Sequence, residues 1–159
     1  MRFVVDSMLG RLARWLRLSG YDVAYLRQRR DRDVLERAKK EGRVLLSRDG
    51  QLCQRARKEG VKCLYVESGD VVEQLAQAIR ELGIRLSDTP VYSRCPRCNG
   101  EIIRAGEESI ARVPEMVRKR VDEFWECSEC GQVYWEGSHW RNIKKVVRMV
   151  RDVQDTGEG

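Results

Sequence analysis

Four of the six cysteines fall in two Cys-x-x-Cys pairs, Cys95-Pro-Arg-Cys98 and Cys127-Ser-Glu-Cys130, with 28 residues between them. A tight turn carrying two thiolates three residues apart aims both at one point. Two such turns supply the four ligands of a tetrahedral zinc site. Asn99-Gly100 and Gly131-Gln132 follow the pairs with the residue types such turns need. A redox dithiol is the rival reading, but two copies in one short segment favour zinc. Cys53 and Cys63 read as small buried apolar residues, one on a helix and one in a strand.

The second set of chemistry-bearing residues is acidic. Asp6, Asp31, Asp33, Asp49 and Asp70 each stand at or just inside the start of a helical pattern that follows a short apolar run. Carboxylates packed together repel one another until a cation neutralises them, and hard oxygen donors with room for water suit Mg(II) or Mn(II). Such ions activate water and stabilise the leaving oxygen in phosphodiester hydrolysis. The competing reading is local. Aspartate is a favoured N-cap, and acids in a first turn complement the helix dipole, so capping alone accounts for Asp6, Asp31, Asp49 and Asp70 equally well, and Asp33 reads as a solvated acid.

The elements that must position these residues are written in the hydrophobic pattern. Phe3-Val4-Val5 predicts a buried strand, and Met8 to Ser19 a helix with Leu9, Leu12, Ala13 and Leu16 on one face, stopped by Gly20. Strands follow at Asp22 to Leu26, Val44 to Leu46 and Lys62 to Val66, with helices from about Asp31 to Lys40, Asp49 to Glu59 and Asp70 to Leu82. Four β-α units in about 80 residues predict an α/β fold, a parallel sheet with helices on both faces. In such a sheet ligands bind at the carboxyl ends of the strands, the rim where the five aspartates would converge. Ser87 to Pro90 reads as a linker. The segment 91–140 reads as a small zinc ribbon held by the four paired cysteines, with hairpin strands near 101–104 and 132–135 and a short helix around Pro114 to Glu123. Residues 141–151 read as a basic amphipathic helix, and 152–159 as a disordered tail.

Charge narrows the partners. The net charge is +6 with a pI near 9.1, and the excess sits at the two ends of the chain. Residues 1–30 hold seven arginines against two acids, and residues 141–151 hold five basic residues and no acid. That suits a polyanionic partner. Arg11, Arg14 and Arg17 recur every three residues, as a solvated helix face or a track for an RNA backbone. Lys144, Lys145 and Arg148 belong to the basic stripe of the last helix, with the same two readings. Arg48 stands beside Asp49, where it contacts a phosphate or pairs with a rim acid. Hydrophobic residues are 42% of the chain, enough for a core, so a disordered protein is excluded. No apolar run reaches the length of a membrane helix, and Asp6 comes too early for a secretory signal; a cytoplasmic location is expected.

Three blocks carry a resemblance. Val5-Asp6-Ser7-Met8-Leu9-Gly10-Arg11-Leu12-Ala13-Arg14-Trp15-Leu16-Arg17, with Gly20-Tyr21-Asp22, forms the first, and Arg43-Val44-Leu45-Leu46-Ser47-Arg48-Asp49 the second. The third joins the two cysteine turns to Tyr134-Trp135-Glu136-Gly137-Ser138-His139-Trp140. Together, over about residues 2–145, they resemble the PIN-like ribonucleases, and among these the family named for the C-terminal ribonuclease domain of the Mut-seven exonuclease. The resemblance implies a PIN-like nuclease domain at 1–88 joined to a zinc ribbon. It also implies metal-dependent RNA cleavage in which Asp6 and Asp49 match the family's acidic positions. Either Asp31 or Asp33 fits the acid expected before the second helix, Asp31 favoured by its spacing to Ala38, and Asp70 is the candidate for a fourth.

The expectation is therefore a Mg- or Mn-dependent endoribonuclease with a structural zinc ion at Cys95, Cys98, Cys127 and Cys130, leaving a 3′-hydroxyl and a 5′-phosphate. The first rival is a non-catalytic RNA- or ribosome-binding zinc-ribbon protein, in which the acids are only caps. The second is a small-molecule phosphohydrolase, disfavoured by the lack of a Gly-rich phosphate loop. His139, the only histidine, would hold the ribbon against the first domain or reach substrate.

Overall fold

Phe3, Val4 and Val5 send their side chains alternately to the two faces of a strand, and both faces must be covered by helices. The computed structural model, which describes residues 1–87 and 93–157 without the side chains of 138–140, shows that cover. Strands β1 (Arg2–Val5), β2 (Asp22–Tyr25), β3 (Val44–Ser47) and β4 (Cys63–Tyr65) form a parallel sheet in the order β2-β1-β3-β4. A 3-10 turn at Ser7–Leu9 leads into α1 (Gly10–Leu18); α2 (Asp31–Glu41), α3 (Gly50–Lys58) and α4 (Val71–Leu82) follow their strands.

Helices α1 and α4 lie on one face, packing Leu12, Leu16 and Leu75 against Phe3, Val5, Val23 and Leu46. Helices α2 and α3 lie on the other, packing Val34, Leu35, Leu52 and Ala56 against Val4, Ala24 and Leu45. The strand order places β2 and β3 on opposite sides of β1. The crevice at the carboxyl ends of β1 and β3 is thus the switch point where α/β sheets hold ligands.

The second, antiparallel sheet has the order β5-β6-β7, from Ile102–Arg104, Phe124–Cys127 and Val133–Trp135. Two short helices, α5 (Glu107–Ala111) and α6 (Glu115–Arg120), occupy the long interval between the cysteine turns. Helix α7 (Ser138–Gly157) then returns to the first sheet. Its Ile143 and Val147 pack with Leu18, and Val150 enters the main core.

Three expectations change. Residues 152–157, expected as a disordered tail, continue α7. Strand β6 is absent from the sequence reading, and the short helix ends at Arg120 rather than Glu123. Cys53 and Cys63 are buried as expected, but they are joined as a disulfide between α3 and β4, with Cα atoms 5.5 Å apart. Most of the linker reading at 87–90 lies outside the described residues. None of the described helices is long and apolar enough to cross a membrane.

Candidate functional site

Parallel pairing puts the ends of β1 and β3 side by side, with Val5 opposite Leu46. Asp6 and Ser47 are therefore neighbours at the sheet rim, both buried. The Ser47 hydroxyl donates to Asp6 Oδ2, and the backbone N–H of Arg48 donates to the same oxygen at 3.2 Å. Asp6 Oδ1 accepts from Met8 N at 2.9 Å, capping the 3-10 turn. Ser47 Oγ in turn accepts from Asp49 N at 2.9 Å. Asp49 Oδ1 caps α3 through Gln51 N (2.9 Å) and Leu52 N (3.2 Å). Among the described residues its Oδ2 takes no donor. Asp6 and Asp49 are thus linked through one hydroxyl at the switch point. Sequence reasoning missed Ser47, whose only signal was its place between an apolar strand and Arg48-Asp49.

The other acids are placed differently. Asp31 is exposed at the first position of α2. Asp33 is engaged, its Oδ2 accepting from Arg30 N at 3.3 Å in a capping box. Asp70 is exposed and caps α4 through Val72 N (2.9 Å) and Glu73 N (3.1 Å). No three of these carboxylates close on one another. Among the described residues, Cys95, Cys98, Cys127 and Cys130 are the one set of three or more His, Cys, Asp or Glu side chains with ligand atoms within 4.8 Å.

Arg48 turns to the β4–α4 loop, donating to Glu67 O at 3.3 Å. Lys144 pairs with Glu136 at 2.8 Å, while Lys145 and Arg148 are exposed on α7. Arg11 and Arg14 are exposed on α1 beside a cleft that the ribbon closes. The side chain of His139 lies outside the described residues.

The cysteine sulfurs fit the metal expected from their spacing. In a tetrahedral zinc thiolate, bonds of about 2.3 Å put neighbouring sulfurs about 3.8 Å apart. Here Cys95 and Cys130 stand at 3.7 Å and Cys98 and Cys127 at 3.4 Å. Burial opposes ionisation of the Cys127 thiol, but the N–H groups of Cys130 and Glu129 outweigh it and hold the group at about 7. Cys98, half-buried and partly desolvated among the other thiols, is pushed up to about 12. Gly100 permits the close approach, since a Cβ there would meet Cys127 Sγ at 2.5 Å. Burial likewise pushes the Tyr134 hydroxyl up, beside Cys95 Sγ at 3.0 Å.

The same turn ties the ribbon to the first sheet. Asn99, in the left-handed conformation (φ 72°), accepts from Val23 N at 2.9 Å and donates to Asp22 Oδ1 at 2.8 Å. Arg17 donates to Val23 O and to Pro96 O (3.1 Å). Asp22 Oδ1 also accepts from Arg43 at 2.7 Å. Burial opposes the Asp22 charge, but the hydrogen bonds from Arg43 and Asn99 hold its carboxyl below the usual range. A lowered native pKa adds stability that is complete above the unfolded value and lost as pH falls through the native one. Asp22→Asn is therefore expected to lose about 1.5–3 kcal/mol near neutrality. The gap should begin to narrow near pH 4, the unfolded value, and close only once pH has fallen through the lower native value. Urea unfolding of both proteins at matched pH checks this; a gap that persists in acid would mean that shape, not charge, is what matters.

The Mut7-C RNAse domain family matches residues 1–147. Among curated proteins, the exonuclease mut-7 homolog of Homo sapiens is 35% identical over 102 residues, covering 62% of this chain. The chain spans 12% of the length of that curated relative. No solved structure matches.

Proposed function

The chain belongs to the Mut7-C RNase domain family, and from that premise we propose that it is a Mg- or Mn-dependent endoribonuclease. In this reading residues 1–88 are the PIN-like nuclease domain, 91–140 the zinc ribbon, and the basic helix from 141 an accessory to RNA binding. The observation that carries the reading is the Asp6–Ser47–Asp49 linkage at the crevice between β1 and β3.

The donor set suits magnesium, which is commonly held by one or two carboxylates, several waters and the substrate's own phosphate. Asp6 and Asp49 would hold the ion, with Asp31, which does not close on that pair in the structure, as the candidate third ligand. Asp31 is preferred to Asp33 because the Asp33 carboxylate already serves the capping box. Asp70 is the more distant candidate, capping a helix on the edge strand. When bound, the ion supplies an activated water and neutralises charge on the leaving 3′-oxygen. The chain's own contribution is positional. Three donors fix Asp6, so its remaining lone pair has one direction. Asp49 is steered by its cap on α3, which leaves Oδ2 for a ligand. Attack by water at phosphorus breaks the P–O3′ bond and leaves a 3′-hydroxyl and a 5′-phosphate.

One observation favours the non-catalytic alternative, an RNA- or ribonucleoprotein-binding module. Asp6, Asp49 and Asp70 all cap helical turns. End-labelled structured and unstructured RNAs, incubated with and without added Mn(II) or Mg(II), separate the readings. Omission of the ion is the cleaner control, because a chelator would also strip the ribbon. Internal cuts that require added ion are expected. A ladder from one end would replace the endonucleolytic reading with an exonucleolytic one, and binding without cuts would favour the module.

A further inference from the structure

Between α1 and the ribbon lies a cleft of about 600 Å³. Arg11, Arg14 and Arg17 line it from α1, Arg97 lines it from the first cysteine turn, and no carboxylate is among its lining residues. Four guanidinium groups around one cavity repel one another, and an exposed arginine ordinarily meets that cost with an acid nearby. Arg11 and Arg14 have no ion-pair partner among the described residues, and neither is buried in the core. Arg17 is committed to Val23 O and Pro96 O, and Arg97 to Gln132 at 3.1 Å. The positive charge of the cleft is thus left for an anion from outside.

The position of the cleft says which anion. One end is formed by Gly10 and Tyr25. The Tyr25 hydroxyl donates to Ser7 O at 2.9 Å, one residue past Asp6. The cleft therefore lies, at that end, beside the residue that follows Asp6, on the side of the rim that holds the Asp6–Ser47–Asp49 linkage. It runs from there along α1 to Pro96 and Tyr134 of the ribbon. The α7 stripe is the competing basic surface. One of its charges, Lys144, is already paired with Glu136, and its apolar side packs on Leu18 and the core, away from this rim.

We propose that the cleft between α1 and the cysteine ribbon is the track for a single RNA strand, its phosphates held by Arg11, Arg14 and Arg97 and its chain led to the Asp6 rim. This deepens the nuclease reading and rests on it for the identity of the polymer, but not for the existence of the site. Tyr25, Tyr134 and Pro96 give ribose and base an apolar wall, as single-strand sites combine basic grooves with flat side chains. The ribbon is then half of the substrate site as well as a structural unit.

Binding tests the track without cleavage. Fluorescein-labelled single-stranded RNA is titrated with zinc-loaded protein in the absence of added Mg(II) or Mn(II), over a range of salt concentrations. In the wild type, affinity should fall steeply with salt. Each phosphate contact on a single strand contributes about 0.7 to the slope of log K against log salt. The Arg11→Gln/Arg14→Gln variant should bind roughly tenfold or more weakly, its slope reduced by about 1.4. Arg97→Gln, on the opposite wall, should reduce the slope by about 0.7. Lys145→Gln/Arg148→Gln, on the accessory helix α7, should weaken binding and reduce the slope by less than the cleft variant does. Circular dichroism and zinc content confirm folding, and glutamine keeps helix propensity at positions 11 and 14.

Absence of RNA binding by the wild type, or unchanged affinity and slope in both cleft variants, would overturn the proposal. Loss confined to the α7 variant would move the RNA to that helix. Tighter binding of duplex than of single-stranded RNA would also overturn it. A protein that binds through the cleft yet never cleaves would leave the track standing and sink only the nuclease reading.

Discussion

Replacing Asp6 and Asp49 together with asparagine is expected to lower metal-dependent RNA cleavage by roughly three orders of magnitude, with folding and RNA affinity nearly unchanged. The choice of asparagine separates the two roles that these residues could have. As an N-cap, asparagine is as good as aspartate, because its side-chain oxygen accepts the same N–H groups. The bonds to Met8 N, Gln51 N and Leu52 N therefore survive the substitution. At position 6 the amide nitrogen takes the place of Asp6 Oδ2, so the Ser47 hydroxyl can turn to accept from it, while the Arg48 N–H gives up its long bond. What is lost is two negative charges at the switch point. A divalent ion contributes several kcal/mol of charge stabilisation to phosphoryl transfer, and each 1.36 kcal/mol is tenfold in rate, so about 10³ is the expected scale. If the acids are only caps, the variant cleaves as fast as the parent, and the nuclease reading fails. If cleavage is lost together with folding, the single Asp49→Asn variant decides, because Asp49 is half-exposed and its change disturbs no buried charge.

The paired roles explain why the sequence could go only so far. Apolar runs and glycine stops give the four β-α units because their periods are local. The convergence of Asp6 and Asp49 follows from the parallel sheet alone. Ser47 carries no charge and belongs to no motif of metal ligation. Its bridging role exists only once β1 and β3 lie side by side, 41 residues apart in sequence for the Ser47–Asp6 bond. Strand β6 was missed for a similar reason. Phe124-Trp-Glu-Cys127 follows a charged helix with no turn signal, and its extended form is imposed by partners on both sides, β5 and β7. The cysteine spacing foretold the sulfur cluster, since each knuckle is a local turn. That Asn99 would also reach Val23 and Asp22 is a contact across 76 and 77 residues, which spacing cannot express. Residues 152–157 read as polar tail by composition. They extend a helix already anchored by Ile143, Val147 and Val150, to which adding a turn costs no new nucleation.

Removing the metal from the four cysteines should unfold the ribbon while leaving the first sheet in place. The two parts have different sources of stability. The parallel sheet has a core on each face, with Leu12, Leu16, Leu45, Leu46 and Leu75 wholly buried. The ribbon has strands of three or four residues and few buried apolar side chains, Val113, Phe124 and Trp125 among them. Small domains of that kind need a staple, and structural zinc supplies about 10–16 kcal/mol of apparent binding free energy, far above what such a core gives. Cys127→Ser, or a chelator strong enough for zinc, should therefore release one equivalent of zinc. The tryptophan emission of the chain should then shift to the red as Trp125 becomes solvated. Most of the helical circular dichroism should persist, because α1 to α4 and α7 pack on the first sheet. The contacts of Asn99 with Val23 and of Arg17 with Pro96 are lost with the knuckle, and Arg97 and Tyr134 leave the wall of the cleft. RNA affinity should accordingly fall at least as far as in Arg97→Gln, although none of the four cysteines lines the cleft. A zinc-free protein that keeps its tryptophan emission and its unfolding midpoint would show that the ribbon stands on its own packing. In that case the sulfur cluster would need another role.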